Sequence, residues 1–201
     1  MRLFRPWFLR LLYPDALFRV QTDEKILFLT FDDGPHPQST SRILKILGKN
    51  RVRAFFFCSG EAAEKYPDLI DAIKTEGHII GNHGFTHIDG WKTSTRDYCA
   101  SADNAAKFTS DVYFRPPYGH LTIKQYRRLR KRYKIIFWDI MPYDFETRFG
   151  AERSLKLLKK KIRNGSVIVL HDTPLSDCFD FLDSFISDSM IKGYTFGTTI
   201  R

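Results

Sequence analysis

The chain has 201 residues, 43% of them hydrophobic and 27% charged. That balance fits one globular domain able to bury a core and excludes a disordered or fibrous protein. The net charge of +9 favours an anionic partner such as a polyanionic polymer, a membrane surface or a nucleic acid. The three widely separated cysteines, Cys58, Cys99 and Cys178, fit free thiols in a reducing compartment and suggest neither a disulfide framework nor a thiolate zinc site.

The first twenty residues, MRLFRPWFLRLLYPDALFRV, begin basic and carry aromatic and leucine side chains. Arg5, Pro6 and Arg10 interrupt them and no small-residue cleavage site follows, so the stretch is a poor signal peptide and too short to span a bilayer. Residues 1–23 are expected to pack on a domain occupying 24–201, with at most peripheral membrane contact. On this reading the protein is cytoplasmic, or peripheral at a membrane surface.

Apolar, β-branched and aromatic runs then predict strands at 26–31, 53–58, 78–81, 112–114, 134–138, 166–170 and 194–197. Helical patterns lie between most of them, near 38–49, 61–75, 95–107, 122–132 and 151–163. The alternation predicts an α/β fold with a mainly parallel sheet. Seven strands suit a barrel one unit short of the eight-stranded form, with an open doubly wound sheet as the alternative. Strands with so little polar alternation are expected to be buried on both faces. The basic runs at 124–134 and 156–163 carry apolar residues at helical spacing (Tyr126, Leu129 and Tyr133; Leu157, Leu158 and Ile162). They read as solvated faces of amphipathic helices, and no reading motif for nucleic acid accompanies them.

Polar residues gather at the C-terminal ends of the predicted strands. Asp32 and Asp33 follow the first, His83 the third, Arg115 the fourth, Asp139 and Asp144 the fifth, and His171 and Asp172 the sixth. Parallel α/β folds build their sites on that edge. In GNHGFTH, His83 and His87 are four residues apart, which on a helical turn would bring both imidazoles to one face and one metal. The spacing is that of H-E-x-x-H metalloproteases, but Gly84 stands where that motif carries its base. TFDDGP, at 30–35, supplies two carboxylates. One would complete an Asp-His-His site with an open position for water, and the other would act as base. A dication beside them would also offset the repulsion between neighbouring carboxylates. The same donors suit non-haem Fe(II), so an iron enzyme is an alternative.

With these motifs in place the chain resembles the polysaccharide deacetylases, the NodB-homology or carbohydrate esterase family 4 group, from about residue 24 to 197. Five motifs carry the resemblance in order: TFDDGP at 30–35, HGFTH at 83–87, RPPYG at 115–119, WDIMPYDF at 138–145 and VLHD at 169–172. The resemblance implies a deformed (β/α) barrel, a divalent metal (Zn2+ first, with Co2+, Ni2+ or Mn2+ as substitutes), and hydrolysis of N-acetyl groups on an amino-sugar polymer, oligomer or conjugate. Carried over position by position, Asp32 would be the base and Asp33, His83 and His87 the metal ligands. Arg115 would hold Asp32 ionised and oriented. The backbone N–H of Tyr118 would stabilise the oxyanion, and His171 would be the general acid, tuned by Asp144. Pro117, Tyr118, Phe145 and Leu170 would face substrate, with Leu170 lining the acetyl pocket. Asp139 competes with Asp144 for the place beside His171.

Two positions depart from the family pattern. Gly84 replaces a hydroxyl residue, and Phe145 replaces Trp, which keeps an aromatic wall but removes an N–H donor. An N-acetylated carbohydrate is the implied partner, with no obligate protein partner. A catalytically silent sugar-binding module on the same fold is a further alternative. The intact set of Asp32, Asp33, His83, His87, Arg115 and His171 argues against it. Outside the motifs, His78 is expected to be structural, His36 and His120 to sit in loops, and Trp138 to be core. Trp91 is either core or a platform for sugar stacking.

Overall fold

In the computed structural model, which describes residues 7–200, strand β1 (Ile26–Asp32) is buried almost throughout. That explains why its sequence, ILFLTFD, is apolar on both faces. Successive side chains of a strand point to opposite faces. Leu27, Leu29 and Phe31 join an outer core, while Phe28 joins an inner one with Phe55, Phe57, Ile136 and Val167. Thr30 and Asp32 share the inner face with Phe28.

The other strands are β2 (Phe55–Cys58), β3 (Ile79–Asn82), β4 (Tyr113–Phe114), β5 (Lys134–Ile135), β6 (Val167–His171) and β7 (Thr195–Phe196). They form a seven-stranded sheet in the order β5-β4-β3-β2-β1-β6, every pairing parallel, with β7 pairing the first residues of β1. Beyond β5 the chain reaches β6, where Ile140 pairs with Ile168. That contact curls the sheet into a deformed barrel, as the resemblance implied.

Helices α1 (Trp7–Leu12), α2 (Pro37–Asn50), α3 (Gly60–Lys65), α4 (Pro67–Thr75), α5 (Thr95–Ala105), α6 (Ile123–Leu129), α7 (Ala151–Lys161) and α8 (Cys178–Ile191) complete the order. The outer core packs Ile43 and Leu47 of α2, Ile73 of α4, Leu158 of α7 and Phe181 and Phe185 of α8 against the sheet. The helix expected over 61–75 is two helices, because Pro67 lacks the N–H that would continue α3 and instead starts α4. Helix α8 was not predicted.

Residues 1–6 of the expected N-terminal segment lie outside the described residues. Further along, Tyr13 and Phe18 are buried, and Phe18 stacks on Phe137 at 4.7 Å. Leu17 pairs with Ile136 beside β5 and Arg19 with Ser166 beside β6. Among the described residues no helix is long and apolar enough to cross a membrane. All three cysteines are buried free thiols. His36 caps α2, its Nδ1 accepting from the Gln38 N–H at 3.3 Å. His78 is buried, its Nδ1 accepting from the Ala54 N–H at 3.2 Å, and burial pushes its pKa down to about 4.

Candidate active site

Strand register assembles the site. Asp32 ends β1 and is the Cα partner of His171 on β6. His83 follows β3 and Arg115 follows β4, whose partner on β3 is Asn82. Four strand ends thus deliver four candidate side chains to one rim.

Arg115 is fully buried, and each of its three guanidinium nitrogens has a partner. Nε donates to the Ile136 carbonyl at 3.2 Å and Nη2 to the Phe137 carbonyl at 2.9 Å. Nη1 donates to Thr30 Oγ1 and to Asp32 Oδ1, both at 2.6 Å. The guanidinium also lies 4.1 Å over the Phe57 ring. A buried ion pair held this way fixes the Asp32 carboxylate and leaves Oδ2 free of the guanidinium. Removing either partner would strand a buried charge at a cost of about 3–5 kcal/mol.

Asp33 sits on the turn beyond β1 with φ 78, and Asp32 Oδ2 lies 3.9 Å from His83 Nε2. Asp33 Oδ1 lies 3.2 Å from His87 Nε2 and 3.5 Å from His83 Nε2. That oxygen is buried and has no hydrogen-bond partner. One ligand atom from each of Asp33, His83 and His87 lies within 4.8 Å of the others. His83 Nδ1 is 2.9 Å from the Arg115 carbonyl. A carbonyl only accepts, so Nδ1 carries the proton and Nε2 offers its lone pair toward Asp33. Burial lowers the His83 pKa, the charges of His87 and Arg115 add to this, and together they outweigh the two aspartates. The ring is therefore neutral, as a metal ligand must be. Burial alone would raise Asp33, but His87 first, with the charge of His171 beyond it, outweighs burial and brings its pKa to about 2. A buried carboxylate oxygen facing the Nε2 atoms of two imidazoles is a donor set able to hold a divalent cation.

The loop between His83 and His87 is not the helical turn that the spacing suggested. Gly84 has φ +75 and His87 φ 50, and the residues between are bends. Asn82 Oδ1 accepts from the Gly84 N–H at 2.8 Å, and Ser101 Oγ accepts from the Phe85 N–H at 2.9 Å. Two side chains outside the motif thus hold the loop, and a hydroxyl at position 84 is not needed for that. Asp33, His87, Tyr118 and Tyr143 are four of the five non-glycine residues with positive φ among those described. Each such conformation costs about 1–3 kcal/mol, and such strain gathers at functional sites.

On the other flank, His171 Nδ1 is 3.0 Å from Asp144 Oδ1. Asp144 Oδ2 accepts from the His171 N–H at 2.8 Å and from Ser176 Oγ at 2.7 Å. Asp139 is elsewhere, paired with Arg163 at 2.5 Å and accepting from Ser166 Oγ at 2.8 Å, so the competition for His171 goes to Asp144. Burial alone would lower the His171 pKa. The hydrogen bond and charge of Asp144, with Asp32 and Asp33 beyond, overcome it and hold the pKa up to about 9.

The residues expected to face substrate divide. Tyr118 is 58% exposed, its ring edge-on to His87 at 4.4 Å, and Phe145 is 42% exposed, edge-on to His171 at 4.7 Å. Pro117 is buried beside Gly84. Leu170 is fully buried in the outer core with Ile168, on the opposite face of β6 from His171. The structure thus corrects its expected place in the acetyl pocket, because strand alternation puts Val169 on the face of His171. Trp138, expected in the core, packs half-buried against the inner core, with its indole edge where a side chain on Gly119 would stand. Ser176, Asn82 and Ser101 were not singled out in the sequence.

The family model described as polysaccharide deacetylase matches residues 19–136 of this chain. The chain belongs to the polysaccharide deacetylase family. It is 33% identical over 195 residues to the peptidoglycan-N-acetylmuramic acid deacetylase PdaA of Bacillus subtilis, covering 90% of this chain and 73% of that one. It is 30% identical over 162 residues to a chitooligosaccharide deacetylase of Rhizobium leguminosarum bv. trifolii, covering 75% and 73%. Among solved structures it resembles the Bc1960 peptidoglycan N-acetylglucosamine deacetylase with a TM-score of 0.87 and 29% identity, over 97% of this chain and 95% of that one. The family match ends at residue 136, before Asp144 and His171, and the solved structure extends the likeness over that half of the site.

Proposed function

We propose that this member of the family hydrolyses N-acetyl groups from amino-sugar residues, using a divalent cation, zinc foremost, held by Asp33, His83 and His87. The observation that carries the reading is the buried, unpartnered Asp33 Oδ1 facing two imidazole nitrogens. The Asp32–Arg115 and His171–Asp144 pairs adjoin it, Asp32 and His171 being register partners on β1 and β6.

The cation supplies Lewis-acid chemistry when bound, acidifying water and polarising the amide carbonyl. The remaining work belongs to the chain. Asp32 Oδ2, the oxygen that Arg115 does not hold, accepts a proton from the attacking water. The Tyr118 N–H donates to the carbonyl oxygen as it gains charge, a contribution of about 3–4 kcal/mol per donor in comparable sites. His171, with Nδ1 engaged by Asp144, delivers a proton from Nε2 to the leaving nitrogen. General acid help of this kind is worth about 10²–10⁴-fold, and a pKa near 9 keeps the proton available at neutral pH.

The relatives' descriptions name peptidoglycan N-acetylmuramic acid and chitooligosaccharide, so the proposed substrate is an N-acetylated sugar of such a polymer. Peptidoglycan lies outside the cytoplasm. The cytoplasmic placement expected from the sequence therefore has no support, and the proposed place of action is extracytoplasmic. The test is acetate release from N-acetylglucosamine oligomers by the zinc-loaded protein and by Asp32→Asn. The variant should bind zinc as the parent does and release acetate at least ~10³-fold more slowly. Loss of zinc together with activity would make Asp32 a ligand and overturn the assignment of roles.

A further inference from the structure

Trp91 is a large, exposed side chain near the site that the proposed chemistry leaves unused. It is 64% exposed, yet side-chain hydrogen bonds tie down its loop. Its ring stacks on His120 at 3.5 Å between centroids, the planes only 8° apart. Asp89 Oδ1 holds both partners, accepting from the Trp91 N–H at 2.9 Å and meeting His120 Nδ1 at 2.9 Å. Fully buried Gln125 reaches across from α6 and donates to the Gly90 and Thr93 carbonyls at 2.8 and 3.1 Å. A side chain at position 90 would stand 2.2 Å from the His120 carbonyl, so Gly90 allows the two segments to meet. A buried amide, a carboxylate and a glycine are thus all committed to fixing an indole that faces water. Core packing would not require this, since burying the ring would be more favourable than displaying it.

The stack also leads to the site. His120 lies 5.8 Å from the Tyr118 ring, and Tyr118 lies 4.4 Å from His87. Trp91, His120, Tyr118 and His87 form an unbroken line of rings from the surface to the proposed metal ligands. With His120 covering one face of the indole, the exposure falls on the other face and the edges. A flat, rigid aromatic face beside a sugar site suits the C–H face of a pyranose, which packs on it without ordering either partner further.

Resting on the deacetylase reading, we propose that Trp91, backed by His120, is a stacking platform for a second pyranose of the same chain, outside the residue being deacetylated. The platform makes the enzyme favour oligomers over short substrates. It contributes uniform binding, so it acts on KM and leaves the chemical step alone.

The experiment compares the zinc-loaded parent, Trp91→Ala and Trp91→Phe on N-acetylglucosamine dimers and hexamers, with hexamer binding measured in parallel by calorimetry. Trp91→Ala should raise the hexamer KM and Kd roughly five- to tenfold. Its kcat should stay within about twofold and its dimer kinetics should be unchanged, while Trp91→Phe should recover most of the hexamer affinity. Unchanged hexamer KM and Kd would overturn the platform while leaving the deacetylase reading intact. An equal loss on dimer and hexamer would overturn it too, by making Trp91 a scaffold for Tyr118. Absence of acetate from every variant would contradict the deacetylase reading alone, because the calorimetric comparison still decides the role of Trp91.

Discussion

Asp32 is gripped by a guanidinium and Asp33 faces two imidazoles, one of which, His83, also lies 3.9 Å from Asp32, so one step along the chain changes the dominant partner. The left-handed backbone at Asp33 makes the change, and the sequence hints at it only through the turn residues Gly34 and Pro35 behind the pair. His171 and Asp144 form the complementary unit. The His171 pKa is raised from an ordinary 6.5 to about 9, so the pairing stabilises the fold fully below about pH 6.5 and that contribution is lost as pH rises toward 9. For catalysis the acid must hold its proton, so the basic limb of the rate profile should follow the same group. Asp144→Asn removes the hydrogen bond and charge that raise it. Its basic limb should move to lower pH by a unit or more; a limb that stays in place would separate His171 from proton delivery. Asp144 itself was legible as one of two candidates. Ser176, which holds it, was not, because a lone serine four residues past a motif carries no pattern until the fold brings it back.

At the scale of elements, the turn after β1 and the end of β6 are packed to contact. A methyl on Gly34 would stand 2.1 Å from Asp172 Oδ2, an oxygen that also accepts from Thr40 Oγ1 at 2.6 Å. Gly34→Ala should cost about 1–3 kcal/mol by overpacking and lower Tm by several degrees. The cost should shrink in an Asp172→Ala background. Equal costs in both backgrounds, read by thermal unfolding, would contradict the close packing of these two motifs. The strands were legible because buried β runs of Phe, Ile and Val announce themselves. Helix α8 was missed although Phe181, Leu182, Phe185 and Ile186 have helical spacing, since its Asp, Ser, Phe and Ile residues are poor helix formers and no capping box precedes it. The His83–His87 spacing pointed to the right pair through the wrong local structure. A loop held by Asn82 and Ser101 does what a helical turn would have done, and those long-range bonds are invisible to spacing.

For the whole molecule, the proposed ligands come from the ends of β1 and β3, and the groups beside them from the ends of β4 and β6. A cation bound there joins distant parts of the barrel and should stabilise all of it. Zinc at about 100 times its Kd would add about 2.7 kcal/mol and raise Tm by roughly 5–10 °C. The parallel barrel itself was readable from strand and helix alternation. Its closure through Ile140 and Ile168, and the pairing of Leu17 beside β5, were not, because single bridges leave no periodicity. The most direct measurement is acetate released from N-acetylglucosamine hexamer by the zinc-loaded protein, by the same protein after chelation, and after zinc is returned. The account predicts release that chelation abolishes and zinc restores. Release that survives complete chelation, or none from folded, zinc-loaded protein, would contradict it.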